Sequence, residues 1–134
     1  MKQFREAVEA RDEQAMRALL ADDVVFTSPV AFKPYPGKAI TSAILRGVLR
    51  VFEDFRYVRQ LRDGSEEAYV FEATVDGLDI TGCDFLHLDD EGKIDDIMVM
   101  VRPLSGATAL AEAMGAQFDQ ISAEAAEEIT RPAT

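Results

Sequence analysis

Leu20-Ala21-Asp22-Asp23-Val24-Val25-Phe26-Thr27-Ser28-Pro29 reads as a helix end, an acidic corner and a half-buried strand that stops at a proline. Val24, Phe26 and Ser28 fall on one side of that strand and Val25 and Thr27 on the other, the period of two that one buried face requires. Pro29 closes it, because proline has no N–H to donate to a continuing ladder. Upstream, Phe4, Ala7, Val8 and the aliphatic stem of Arg11 recur at helical spacing. Asp12 then offers an N-cap to a second short helix that buries Met16, Leu19 and Leu20. Downstream, residues 30–37 hold Pro34, Pro36 and Gly37 with Phe32 and Tyr35 between them, an aromatic loop suited to cover a pocket mouth. Ile40, Ile44, Val48, Val51 and Phe52 mark a third helix with one apolar face.

Residues 55–103 read as strands at 55–62, 68–75, 78–88 and 94–102, separated by Asp63-Gly64-Ser65, Asp76-Gly77 and Asp90-Glu91-Gly92. Three hairpin signals in succession predict an antiparallel meander. Tyr69, Phe71, Ala73 and Val75 share one face of the second of these strands, opposite Glu72, Thr74 and Asp76. The last strand is apolar on both faces, with Ile97, Val99 and Val101 against Met98 and Met100. A solvated face does not select two methionines, so a partner chain or the C-terminal segment is expected to cover that side. Beyond Pro103 a sparse stripe of Leu110, Met114, Phe118 and Ile121 predicts a helical extension over about 105–128, with residues 130–134 frayed.

At 134 residues the chain fits a single domain, residues 1–134, with its core in about 1–103, and roughly two thirds of the unfolded surface can be buried. The balance of 48 % hydrophobic and 29 % charged residues is that of a globular protein. No run of about 18 apolar residues is present to span a membrane. The first turns carry acids and lack a signal sequence's apolar run, so a cytoplasmic location is expected. A net charge of -11 argues against nucleic acid, whose phosphates require clustered Lys and Arg, and against anionic lipid. One cysteine, Cys83, and one histidine, His87, are too few soft ligands for a structural zinc site; no metal and no cofactor is expected.

The order of elements, together with Leu20 to Pro29, Pro36-Gly37-Lys38-Ala39-Ile40 and Asp84-Phe85-Leu86-His87-Leu88-Asp89-Asp90-Glu91-Gly92-Lys93-Ile94, resembles the SnoaL-like, nuclear transport factor 2-like superfamily. The resemblance covers residues 1 to about 103. It implies an α+β fold, the cystatin-like cone of N-terminal helices packed in a curved antiparallel sheet. The superfamily holds isomerases, cyclases, epoxide hydrolases, dehydratases and non-catalytic members, so the fold does not choose a reaction. Ketosteroid isomerases use a carboxylate before the proline that ends the first strand as a proton shuttle, and a protonated Asp with a Tyr as the oxyanion hole. Those positions match Ser28, Asp84 and Phe4 respectively, so one of the three is kept. A serine with no neighbouring base does not shuttle protons, which argues against ketosteroid isomerase activity. The Asp-Arg-Asp arrangement of limonene epoxide hydrolases has no counterpart on the apolar strand faces. The single acid in a greasy cavity needed by SnoaL-type cyclases is met by Asp84.

Asp84 shares its strand face with Ile80, Gly82 and Leu86. Facing the cone, it would lose solvent, stay partly protonated and serve as a general acid or hydrogen-bond donor. Otherwise it pairs with Arg56, Arg59 or Arg102, or turns to water. The expected ligand wall is Phe26, Ser28, Tyr69, Phe71, Leu86, Ile97, Val99 and Val101 around Asp84, though the same residues would also fill a solid core. Ser28 either meets a ligand or satisfies the backbone ahead of Pro29. The hydroxyls of Tyr57 and Tyr69 either reach into the cavity or, as is commoner for aromatics on an inward strand face, are satisfied within the core. His87 is expected at the surface or a dimer interface, and Cys83 as an inert half-buried thiol. Two functions stand at this point. One is a homodimer binding a small hydrophobic or aromatic molecule, with acid–base chemistry of isomerase or cyclase type open to it. The other is a non-catalytic dimerisation or protein-interaction module with a filled pocket.

Overall fold

A computed structural model describes residues 2–130; of the fraying expected at 130–134, Thr130 is instead the last residue of a helix, and 131–134 lie outside the described residues. Two short helices, α1 (Lys2–Glu9) and α2 (Glu13–Ala18), open the chain and bury Phe4, Ala7, Val8 and Met16. Asp12 caps α2 as its sequence position predicts, its carboxylate accepting the Ala15 N–H at 3.1 Å.

The second helix ends at Ala18, earlier than its apolar stripe implies, and Leu20 and Ala21 are buried in the strand β1 (Leu20–Thr27) instead. Strand partners decide the change. The Ile94 N–H donates to the Leu19 carbonyl at 2.9 Å, and the Lys93 ammonium to the Ala18 carbonyl at 2.8 Å. Asp22 and Asp23 are both exposed in mid-strand, where the pairing register shifts between Leu20 and Val25. The aromatic loop contains a two-residue strand, β2 (Tyr35–Pro36), pairing antiparallel with Val25 and Phe26. Gly37, at φ 111°, then turns the chain into α3 (Lys38–Val51) while its N–H donates to the Val24 carbonyl at 2.7 Å.

The meander consists of β3 (Glu53–Asp63), β4 (Glu66–Val75), β5 (Leu78–Leu88) and β6 (Ile94–Arg102), each pairing antiparallel with the next. β1 then lies parallel beside β6, Phe26 opposite Ile97, giving one curved, unclosed six-stranded sheet in the order β2-β1-β6-β5-β4-β3. Tyr69, Phe71, Ala73 and Val75 face inward beside Ile80, Gly82, Asp84 and Leu86, all buried. The helix α4 (Leu104–Thr130) packs on α3, burying Leu110, Ile121 and Ala125. Ion pairs fasten it: Arg46 and Arg50 reach Glu124 at 3.1 and 3.3 Å, and Arg17 reaches Glu128 at 2.7 Å. It leaves the outer sheet face bare, where Phe85, Met98 and Met100 stay exposed, Met100 to 55 %. Among the described residues no helix is long and apolar enough to cross a membrane.

Candidate functional site

The concave face of the sheet does not close on the helices as a solid core. Between it and α1, α3 and α4 lies an apolar cavity with about 650 Å³ free of atoms, counted out to its mouth. It is narrow, since the centre of a water molecule reaches only about 60 Å³ of it. One wall is aromatic. Phe55 stacks on Phe52 (ring centres 5.8 Å apart, planes at 13°) and on Phe71 (4.9 Å, 27°), and the Tyr57 ring stands edge-on to Phe55 at 4.9 Å. Flat faces in such an array suit a flat apolar guest.

Asp84 enters this wall from the middle of β5, opposite Tyr69 on β4 and Val99 on β6. Its side chain is buried, and the Tyr57 hydroxyl donates to Oδ2 at 2.7 Å. Burial raises its pKa from 3.8 to about 6, with the Tyr57 hydrogen bond pulling the other way. Tyr57 is itself held well above its ordinary 10.0, first by desolvation and then by the Asp84 charge, so it stays a neutral donor. The arginines foreseen as partners of Asp84 are not bonded to it: Arg56 spans to Glu72 at 3.3 Å. The Ser28 Oγ accepts the N–H groups of Val30 (3.0 Å) and Ala31 (3.3 Å), so it holds the turn beyond β1 while lining the cavity.

Of the residues singled out from sequence, Phe26, Ser28, Phe71, Asp84 and Val99 meet at this cavity. Leu86 and Ile97 instead sit in the packed core, and Val101 packs half-buried against it. Tyr69 is fully buried but turned to a different polar group, its hydroxyl donating to Glu67 at 2.6 Å. Tyr57, whose hydroxyl the sequence left either in the cavity or satisfied in the core, alternates inward with Phe55 on β3 and gives that hydroxyl to Asp84. One functional-looking residue escaped the sequence reading. Glu67 is buried, and desolvation raises its pKa; its place two residues before Tyr69, in phase with the inward face, was the available signal. Outside the cavity, Cys83 is half-buried on the outer face with a thiol pushed up by burial and by Asp84. His87 lies 2.5 Å from Asp95, whose hydrogen bond raises the histidine pKa. Among the described residues no cluster of metal-binding side chains occurs.

Residues 1–97 match the SnoaL-like domain family. Among solved structures, the chain is similar to a steroid delta-isomerase from Pseudomonas aeruginosa at 43 % identity, over 91 % of this chain and 90 % of that one, with a TM-score of 0.85. It is similar also to an uncharacterised bacterial protein with a cystatin-like fold from Silicibacter pomeroyi DSS-3, at 34 % identity, 92 % of both chains and a TM-score of 0.83. An NTF-2-like protein of unknown function from Burkholderia xenovorans LB400 shares the fold at 16 % identity, over 80 % of this chain and 87 % of that one, with a TM-score of 0.64. No curated protein matches the chain.

Proposed function

The chain belongs to the SnoaL-like domain family, and on that premise we propose that its cone binds a small apolar ring compound whose polar substituent meets the Asp84–Tyr57 pair, with Asp84 exchanging a proton with it. The observation that carries this reading is the 2.7 Å hydrogen bond between two buried polar side chains in an otherwise greasy cavity. With a pKa of about 6, Asp84 is mainly a carboxylate at pH 7 yet close enough to neutrality to take and return a proton. A ligand carbonyl that draws the Tyr57 hydroxyl to itself would free Asp84 as the base, while the donated hydrogen bond steadies developing negative charge on oxygen. Ser28 uses its lone pairs on the backbone, which leaves its hydroxyl hydrogen as a second donor toward the ligand. The relative described as a steroid delta-isomerase, at 43 % identity, supports a cyclic ketone as the ligand class. In this chain the base at the end of β1 is replaced by Ser28, so the proton transfer falls to Asp84.

The test is isomerisation of a β,γ-unsaturated 3-ketosteroid, followed by the absorbance of the conjugated product, with thermal shifts for binding. Wild type should turn over and be stabilised by the ligand, and Asp84→Asn should lose at least about 100-fold in rate. Neither turnover nor stabilisation of the wild type would leave the filled-pocket interaction module as the better account.

We further propose that the outer sheet face pairs with a second copy of the chain. Leu61, Ala68, Phe85 and Met98 lie in one cross-strand row, and Val70, Cys83 and Met100 in the next. Arg59 continues the row of Val70, Cys83 and Met100, while Arg56, Glu72, Thr81 and Arg102 form the next row with Arg56 paired to Glu72 at 3.3 Å. A two-fold arrangement of this face would cover Phe85, Met98 and Met100, which the single chain leaves exposed.

A further inference from the structure

A second, wider hollow lies on the outer side of the cavity, between α4 and residues 28–35. It opens to solvent, with Val30, Ala111, Gly115 and Phe118 exposed along it, and has about 610 Å³ free of atoms when counted out into that opening. The two spaces are continuous in their walls, because Ser28, Val30, Ile44 and Met114 line both. Asp84 and Tyr57 line the inner space alone. Apart from Ser28 and the Tyr35 hydroxyl, the side chains around the outer hollow are apolar, and Tyr35 packs its ring on Phe118 across it at 6.1 Å. One wall is the α4 segment Ala111 to Phe118, which lies beyond the family match at residues 1–97. Gly115 in that wall is informative. A side chain there would meet nothing within 4 Å, so no close packing of helix on helix requires glycine at this point, unlike Gly47 and Gly106. Glycine in a helix interior costs roughly 1 kcal/mol against alanine, and Gly115 is exposed at the rim of the hollow, where an added side chain would stand in open space beside it.

We infer that the ligand is bipartite: a ring head in the inner cavity and an apolar tail of several carbons lying in the outer hollow, with Gly115 as the residue that admits the tail. This rests on the reading of the inner cavity as a ligand site. The narrow inner space limits the head to a flat ring system, and the unpolar, wider outer space offers a tail nothing to hydrogen-bond except at Ser28 and Tyr35. The head site, lined mostly by residues 1–97 with Leu110 and Met114 of α4, would thus take the ring, and the α4 segment Ala111 to Phe118 would set the length of tail accepted.

The probes are 4-ethylphenol, 4-butylphenol and 4-hexylphenol, titrated calorimetrically at pH 7.5, where the phenol hydroxyl can donate to the Asp84 carboxylate. Each methylene that becomes buried should tighten binding by up to roughly fourfold. From ethyl to hexyl the wild-type Kd should fall at least tenfold. Gly115→Leu, a favourable helix residue projecting into open space, should leave 4-ethylphenol within about twofold of wild type and remove most of the gain for the hexyl compound. A series flat in the wild type, or an equal gain in Gly115→Leu, overturns the tail site while leaving the head site standing. Failure of all three phenols to bind overturns both.

Discussion

Asp84 is a carboxylate that the fold would rather keep protonated, and that preference has a measurable sign. Its folded pKa of about 6 lies above the 3.8 of an exposed Asp, so between those values the folded state holds more protons than the unfolded one. Stability from this group is therefore greatest below pH 4, declines as pH rises through the window, and stays low above it. Asp84→Asn removes the titration. The stability of the variant relative to wild type should improve by about 2 kcal/mol on going from pH 4.5 to pH 7.5, measured by urea unfolding at both values. A difference independent of pH would mean that Asp84 is not desolvated. At this scale the sequence offered both members of the pair but not the bond between them. Asp84 stood out because it shares its strand face with Ile80, Gly82 and Leu86, and Tyr57 falls inward two residues after Phe55. Their meeting depends on two strands, β3 and β5, that are separated in the sheet by β4, which periodicity within one strand does not report. Tyr69 is inward and core with a satisfied hydroxyl, one of the two readings its alternation allowed; its partner, Glu67 on the same face, is what keeps it from the cavity.

Among the elements, β5 carries a constraint that sets the shape of the aromatic wall. Gly82 lies opposite Phe71 on β4 and Val101 on β6. A Cβ at Gly82 would fall 2.3 Å from the Phe71 ring and 2.8 Å from the Met100 carbonyl oxygen, so the ring and a strand backbone would both have to move. Gly82→Ala should cost about 1 to 3 kcal/mol in urea unfolding and weaken ligand-induced thermal shifts, since Phe71 would be driven into the cavity. A fully stable variant with undiminished shifts would show that the wall yields freely. The strands and α3 were legible from periodicity, as was the capping of α2 by Asp12. The end of α2 was not, because the hydrogen bond from Ile94 to Leu19 arrives from a strand most of the chain away and overrides the local apolar stripe.

At the scale of the whole molecule, the bare outer face is the feature a monomer explains least. Phe85, Met98 and Met100 remain exposed although α4 was long enough to have covered them; it packs on α3 instead. Sedimentation equilibrium at micromolar concentration should give twice the chain mass of 14.8 kDa, and Phe85→Lys should give the single mass with far-ultraviolet circular dichroism unchanged. A monomeric wild type would remove the homodimer from the account. The pairing of β1 with β6 has a consequence in time. An apolar strand near the start of the chain can form its parallel ladder only with the last strand of the sheet, after the whole meander has been made. During synthesis on the ribosome the early strand therefore waits with β6 still unmade, and folding should be gated by this one distant closure rather than by the local hairpins.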